Sequence, residues 1–156
     1  MQARSHSSRS RLGEAFHAHP ALAAGLLELA PVRNSRKGTV LFHEGDPAIG
    51  VYLLLHGRAR LSLHADDGRN IVLRTVKTGY ILGLPGTIMR TNYLFTAELL
   101  ENSEVAFVPA PEVLEFLRDH SDLCYDVVEM LGGELLDLPA AVHRPAIRSR
   151  KPRTNA

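Results

Sequence analysis

The pattern of apolar and polar positions divides the chain into a helical start, a β-rich middle and a helical end. Residues 12–30 are rich in Ala and Leu, which favours helix, and Pro31 ends this stretch. Pro20 suits the first turn of a helix, so one helix and two shorter helices are both compatible with the pattern. We therefore expect helical structure before residue 31 and a different structure after it.

From Val32 to Val108 the apolar residues form short runs rich in Val, Ile, Leu, Tyr and Phe. The runs cover residues 40–42, 51–55, 59–63, 71–76, 81–82, 93–97 and 105–108. Gly-, Asp- and Asn-containing clusters separate them, and residues 66–70 are a strong hairpin signal. Short strands separated by such turns predict a mainly β, antiparallel sandwich or barrel rather than a parallel α/β sheet.

The stretch 79–97 joins two of these predicted strands. Residues 83–86 read Gly-Leu-Pro-Gly, which predicts a tight turn between strand 81–82 and a strand beginning near Tyr93. Glycine has no Cβ and tolerates positive φ, so the backbone could also approach another group closely here.

Two helices are predicted after the strands. Pro111 and Glu112 suit the first turn of one helix, and Ser121 is a candidate cap for the next. Apolar residues recur along the second helix at three- and four-residue spacing: Leu123, Val127, Val128, Leu131, Leu135 and Leu138. This stripe could pack against the chain's own sheet or pair with a second copy in a dimer, and Gly132 and Gly133 would allow close packing. Both alternatives stay open at this point.

The amino-acid composition indicates the redox compartment and bears on membrane insertion. The single cysteine, Cys124, cannot form a disulfide framework or a cluster of cysteine ligands within one chain, which fits a reducing cytoplasm. Since no apolar run approaches the roughly 20 residues needed to span a bilayer, we expect no membrane segment.

The formal net charge of +1 hides basic ends. Arginines and a lysine lie in residues 1–11 and 144–156, whereas all 17 acidic residues lie between these segments. Both ends are rich in Ser, Arg or Pro, so we predict a globular domain over residues 12–139 between disordered segments 1–11 and 140–156. The basic tail could alternatively bind nucleic acid electrostatically.

Four blocks of the sequence resemble the cyclic-nucleotide-binding fold of Crp/Fnr-type bacterial regulators: residues 38–46, 51–61, 67–69 and 79–83, followed by Thr96-Ala97-Glu98. The similarity extends from about Leu26 to Leu138. It implies an antiparallel β-roll, or jelly roll (a double-stranded β-helix), with flanking helices. It also implies a homodimer formed through the last helix, and in complete regulators a helix-turn-helix domain. Since residues 140–156 contain further prolines and a run of basic residues, we expect no reading helix of such a domain there.

The resemblance also gives a candidate ligand pocket and two departures from the family pattern. In nucleotide-binding members, a glutamate bonds the ribose hydroxyl at the position of Leu84, and an arginine pairs with the cyclic phosphate at the position of Phe95. The candidate pocket residues are Gly83, Leu84, Pro85, Gly86, Thr87, Phe95, Thr96 and Ala97. Because a buried phosphate needs compensating donors, the sequence predicts a remodelled, apolar pocket that does not hold cyclic nucleotide in the usual way.

We therefore expect a non-enzymatic regulatory or sensor domain, without cofactor, that acts through a dimer or a protein partner. Three alternatives remain: nucleic-acid binding through residues 144–156, cyclic-nucleotide binding in a non-standard site, and a cupin-like metalloenzyme. The last needs closely spaced histidines, but His43, His56 and His64 are scattered. Neither a nucleophile elbow nor a phosphate-binding loop is found in the sequence, so no catalytic residue is predicted.

Overall fold

The structure is a computed structural model that describes residues 19–136. The predicted segments 1–11 and 140–156, residues 12–18 of the predicted first helix and Leu138 lie outside the described residues.

Four α-helices and eight strands follow one another within residues 19–136. They are α1 (Pro20–Leu27), β1 (Val32–Ser35), β2 (Val40–Phe42), β3 (Gly50–His56), β4 (Arg58–His64), β5 (Asn70–Lys77), β6 (Tyr80–Leu82), α2 (Leu84–Met89), β7 (Thr96–Leu99), β8 (Ser103–Pro109), α3 (Ala110–Asp119) and α4 (Cys124–Leu136). A single 3-10 turn, Ser121–Leu123, precedes α4.

The strands form two four-stranded antiparallel sheets. The first sheet has the order β1-β8-β3-β6, and the second has the order β2-β7-β4-β5. The predicted hairpin joins β4 to β5 with His64 opposite Asn70, and Gly68 in its loop has a φ of 85°. The mainly β, antiparallel prediction with flanking helices is therefore confirmed.

The alternation of side chains along β3 creates two apolar clusters. Val51, Leu53 and Leu55 point to the helices, whereas Leu54 points between the sheets. We call the cluster between the sheets the roll core; its members are Phe42, Leu54, Ala59, Leu61, Leu73, Val76, Leu82, Tyr93, Ala97, Leu99 and Val105. We call the cluster between the first sheet and the helices the helix core; its members are Leu22, Ala23, Leu26, Val51, Leu53, Leu55, Ile81, Leu84, Ala106, Val108, Val113, Leu117 and Val127.

The tight turn predicted at residues 83–86 is wrong, because the chain forms the short helix α2 there. Gly83, at φ 84°, precedes its first residue, and Pro85 lies in its first turn, where the lack of an N–H costs nothing. Arg90, at φ 54°, ends the helix, and its N–H donates to the Gly86 and Thr87 carbonyls. The following strand consequently begins at Thr96 and not near Tyr93.

Two further details of the elements differ from the expectations. β1 forms at Val32–Ser35, which was not among the predicted apolar runs. Ser121 is not the cap of the last helix: it lies inside the 3-10 turn, and no side-chain hydrogen bond caps that turn.

Some residues of the predicted apolar stripe of the last helix are buried, and others are exposed. Val127 is buried in the helix core, and Leu131 packs against it. Val128 and Leu135 are 62% and 70% exposed, on the outer side of α4. The helix therefore uses part of the stripe for its own domain and leaves part of it open.

Candidate functional site

Helix α2 is the centre of the candidate site. The Thr87 hydroxyl donates to the Gly83 carbonyl at 2.8 Å, and Thr87 is fully buried. This bond fixes the first turn of a helix that is too short to be stable on its own propensity. Tertiary contacts therefore determine its conformation.

Both glycines of the segment lie where a side chain would overlap its surroundings. A Cβ on Gly83 would lie 2.8 Å from Cε1 of Tyr93. A Cβ on Gly86 would lie 2.6 Å from the Asn92 carbonyl oxygen. The glycines thus let α2 pack directly against the segment that follows it.

Backbone hydrogen bonds tie this following segment to the loop before β3. The Tyr93 N–H donates to the Asp46 carbonyl at 2.9 Å, and the Ala48 N–H donates to the Thr91 carbonyl at 3.0 Å. The Tyr93 hydroxyl donates to the Gly50 carbonyl at 2.7 Å. Burial is the main reason that the pKa of Tyr93 is raised, so this hydroxyl remains a neutral donor at physiological pH. These bonds hold the segment after α2 against the loop before β3.

The two departures from the family pattern lie in different apolar clusters. Leu84 is 1% exposed and belongs to the helix core. Phe95 is partly buried against the roll core, with its ring centroid 6.0 Å from that of Phe42. Phe42 in turn stacks on Tyr93 at a centroid distance of 3.9 Å. The positions where the resemblance implies a carboxylate and a guanidinium are therefore apolar, and their side chains pack in different clusters.

The remaining candidate residues have structural contacts of their own. Ala97 is fully buried in the roll core, and the Thr96 hydroxyl accepts a hydrogen bond from the Glu44 N–H at 3.0 Å. Pro85 lies partly buried in α2, between the buried Leu84 and Gly86. The structure thus brings Gly83, Pro85, Gly86 and Thr87 together in one helical segment and places Thr96 and Ala97 on β7.

A cavity of about 340 Å³ opens between the sheets at a different place. Its lining includes Arg33 from β1, Thr39 before β2, and Tyr52 and Phe107, whose ring centroids are 4.8 Å apart. None of the candidate pocket residues lines this cavity.

A polar group that sequence reasoning missed lies where the last helix meets the sheets. The Tyr80 hydroxyl of β6 donates to Oε1 of Glu134 in α4 at 2.9 Å. The guanidinium of Arg74 lies over the Tyr80 ring, 4.9 Å from its centroid, and donates to its hydroxyl. Burial raises the pKa of Glu134 to about 7, although the positive charge of Arg74 acts in the opposite direction. The sequence carries no consistent signal for the direction of Arg74. Val76, two positions along the strand, predicts that Arg74 points inward, whereas the preceding Leu73 predicts the opposite. A register shift at Leu73 allows Leu73, Arg74 and Val76 all to face the interior.

The described residues contain no other arrangement that supports the alternative chemistries. Within residues 19–136, no three His, Cys, Asp or Glu side chains are grouped to hold a metal ion. His43, His56 and His64 are exposed at the ends of three different strands. No helix in the described part of the chain is long and apolar enough to cross a membrane.

The two sheets form a β-roll with a short helix between β6 and β7 and two closing helices, and comparison with known families identifies the class of domain to which this architecture belongs. Residues 32–120 match the family model of the cyclic nucleotide-binding domain, which is more than half of the chain. The chain belongs to this family. Its fold resembles that of the sensor domains of Crp/Fnr-type regulators.

Two curated relatives show the range of proteins that carry similar domains. The global nitrogen regulator of Synechocystis sp. is 26% identical over 125 residues, which cover 78% of this chain and 56% of that protein. Patatin-like phospholipase domain-containing protein 7 of Mus musculus is 24% identical over 99 residues, 64% of this chain and 7% of that protein. The chain therefore matches only part of the length of either relative.

The fold is also similar to a crystal structure of the catabolite activator protein of Thermus thermophilus. The TM-score is 0.70 at 19% sequence identity, and the match covers 86% of this chain and 62% of that one. At this identity the similarity shows the fold alone.

Proposed function

We propose that this domain is a non-enzymatic regulatory sensor of Crp/Fnr type in which α2 is a scaffold and not a cyclic-phosphate site. The observation that carries the proposal is the placement of Leu84 in the helix core and of Phe95 against the roll core. In the family pattern these two positions supply the carboxylate and the guanidinium that hold the nucleotide. The reducing cytoplasm is the proposed location.

Burying a phosphate in a domain costs free energy unless its charge is compensated. A charged group that leaves water needs a fixed cation or several strong donors, and an Arg–phosphate pair supplies two parallel hydrogen bonds. Phe95 supplies none, and the Thr87 hydroxyl is already used by the Gly83 carbonyl. The remaining donors around α2 are the guanidinium of Arg90, which is exposed at the end of the helix, and backbone N–H groups. Several of these N–H groups are already used, as in the bonds from Thr87 to Gly83 and from Thr91 to Gly86.

Isothermal titration with cAMP and with cGMP tests this proposal. We expect no saturable heat with either nucleotide and no rise in the thermal unfolding midpoint, because a ligand that binds the native state must raise that midpoint. Micromolar binding of either nucleotide would overturn the proposal. It would favour the second candidate, a cyclic-nucleotide sensor with a non-standard site, to which Arg74 in the roll interior could contribute a cation.

We further propose that the domain forms a homodimer through the outer face of α4. Tyr125, Val128, Gly132 and Leu135 follow one another at intervals of three, four and three residues, so they share one face of the helix. Three of them are large apolar side chains that are 62–70% exposed: Tyr125, Val128 and Leu135. A Cβ on Gly132 would meet nothing within 4 Å, which leaves space for a second helix to approach closely.

Replacement of Val128 by aspartate tests the dimer. We expect the sedimentation-velocity mass to fall from dimer to monomer while the circular dichroism spectrum is unchanged, because the side chain is 62% exposed in the single chain. Val72→Asp is the matched control: Val72 is an apolar residue that is 51% exposed on β5 and is not part of the α4 face, and its replacement is expected to leave the mass unchanged. A wild-type chain that sediments as a monomer at all concentrations would exclude this dimer.

A further inference from the structure

The contact between Arg74, Tyr80 and Glu134 joins three elements at the edge of the roll core. Tyr80 donates from β6 to the Glu134 carboxylate of α4, and Arg74 of β5 contacts the Tyr80 hydroxyl. Among the described residues, the titratable groups that face Glu134 from the strands packed against it are Tyr80 and Arg74. The carboxylate therefore has one hydroxyl donor and one neighbouring positive charge.

The strand register directs Arg74 and Tyr80 toward the interior of the roll. Arg74 is the cross-strand partner of Leu61, next to a register shift that leaves Leu73 without a partner, and Tyr80 is the partner of Leu54. Partners on neighbouring strands have their side chains on the same face of the sheet, and Leu61 and Leu54 are both buried in the roll core. Both polar side chains thus project from the wall of the roll and not from its outer surface.

Glu134 reaches this position from a weakly held part of α4. Gly132 and Gly133 precede it, and each glycine lowers helix stability by up to about 1 kcal/mol relative to alanine. Leu135 and Leu136, which follow it, are 70% and 87% exposed. The bond from Tyr80 is therefore a tie between the last turn of the helix and the sheet.

Burial at this position destabilises the charged form of the Glu134 carboxylate. Desolvation disfavours its charged form more than Arg74 favours it, so the pKa of Glu134 is raised to about 7. The contacts of Glu134 with the Tyr80 hydroxyl and the charge of Arg74 thus compensate its carboxylate only in part, and another anion can make the same contacts in its place.

We propose that Arg74 and Tyr80 form an anion-binding position in the wall of the roll. The Glu134 side chain occupies this position as an internal ligand, and a small carboxylate or phosphate-like anion can bind there when Glu134 leaves. The ligand class follows from the chemistry of the group that it replaces. Because Leu135 is adjacent to Glu134, displacement also frees the helix segment that carries the proposed dimer face; this consequence rests on the proposed function, whereas the anion position itself does not.

Binding of sulfate and of acetate to the wild type and to Glu134→Gln tests the proposal. Sulfate represents tetrahedral anions and acetate represents carboxylates, and neither changes its charge between pH 6 and pH 8. The reporters are the nuclear magnetic resonance signals of the Arg74 Nε–H and the Tyr80 amide, followed at constant ionic strength. At pH 8 we expect one or both anions to bind Glu134→Gln about tenfold more tightly than the wild type, because only about a tenth of Glu134 is then protonated.

The pH dependence supplies a second test that needs no variant. Lowering the pH through about 7 protonates Glu134, so anion binding to the wild type should tighten toward that of Glu134→Gln, whose affinity should change little. Glu134→Gln keeps all eight histidines, so any change of its anion affinity with pH measures the contribution of groups other than Glu134. The double variant Arg74→Gln/Glu134→Gln is expected to lose the binding.

Equal affinity of wild type and Glu134→Gln at pH 8, or binding that survives the loss of Arg74, would overturn the anion position. If neither anion shifts the two reporter signals in Glu134→Gln, the proposal also fails. These outcomes are separate from the nucleotide titration of the wild-type domain, because a chain that ignores cAMP can still bind sulfate, and the reverse is equally possible.

Discussion

Replacement of Leu84 by glutamate is expected to unfold the domain and not to restore a nucleotide site. Leu84 is 1% exposed in the helix core, where its neighbours are apolar. An ionised carboxylate without a partner in such a place costs several kcal/mol, which is comparable to the total stability of about 5–15 kcal/mol of an ordinary domain. Urea unfolding followed by circular dichroism measures the loss.

Leu84→Met is the control for this experiment, because it nearly conserves volume and is expected to cost less than about 1.5 kcal/mol. Phe95→Arg is the companion variant: Phe95 is only partly buried, so a long side chain can direct its charge to water and the domain should stay folded. A cooperative, wild-type-like unfolding curve for Leu84→Glu would show that the side chain at this position can turn away from the helix core.

The burial of Leu84 affects how a cyclic-nucleotide site could be introduced into this domain by mutation. By the family resemblance, Glu at position 84 and Arg at position 95 together should create nucleotide binding. The structure shows that the first replacement must also remove a side chain from the helix core. Phe95→Arg alone is therefore the variant in which a gain of cAMP binding should be sought first.

The sequence predicted most strands because their residues are buried on at least one face. Four of the five residues 51–55 are buried, in both apolar clusters, and give a continuous apolar run. β1 was missed because Val32-Arg33-Asn34-Ser35 is an edge strand, paired with β8 alone and exposed along most of its length. Such a strand forms by backbone pairing and has little side-chain pattern to reveal it.

Helix α2 could not be predicted because it is six residues long, less than two turns. At that length periodicity is absent, and Gly-Leu-Pro-Gly has the composition of a turn. Its conformation depends on the Thr87 bond and on the close approach of Gly86 to Asn92, which are tertiary contacts.

The candidate site stays a prediction from the family pattern, and the structure adds how its residues are arranged. The family pattern located the departures at Leu84 and Phe95, but sequence alone could not show that one faces the helices and the other faces the roll core. Glu134 shows the same limit. A glutamate beside two glycines in a helix is typical of a solvated position, and only the packing of α4 near β5 and β6 brings it to Tyr80.

Replacement of Gly83 by alanine is the second change with a large expected effect. Gly83 has a φ of 84°, and a non-glycine residue in this region costs about 1–2 kcal/mol. Its Cβ would also lie 2.8 Å from the Tyr93 ring and 3.2 Å from the Gly50 carbonyl oxygen. Overlap in a packed interior adds about 1–3 kcal/mol, so we expect a total loss of about 2–5 kcal/mol in the free energy of unfolding.

Gly68→Ala separates these two contributions. Gly68 has nearly the same φ, 85°, but a Cβ there would meet nothing within 4 Å. Its replacement should therefore cost only the backbone part, and the difference between the two variants in urea unfolding measures how closely Tyr93 packs on α2. Equal losses would mean that the Tyr93 ring moves aside, against the hydrogen bond from its hydroxyl to the Gly50 carbonyl. A larger loss for Gly83→Ala would establish that glycine is required here by packing, which is the role of a scaffold whether or not a ligand binds.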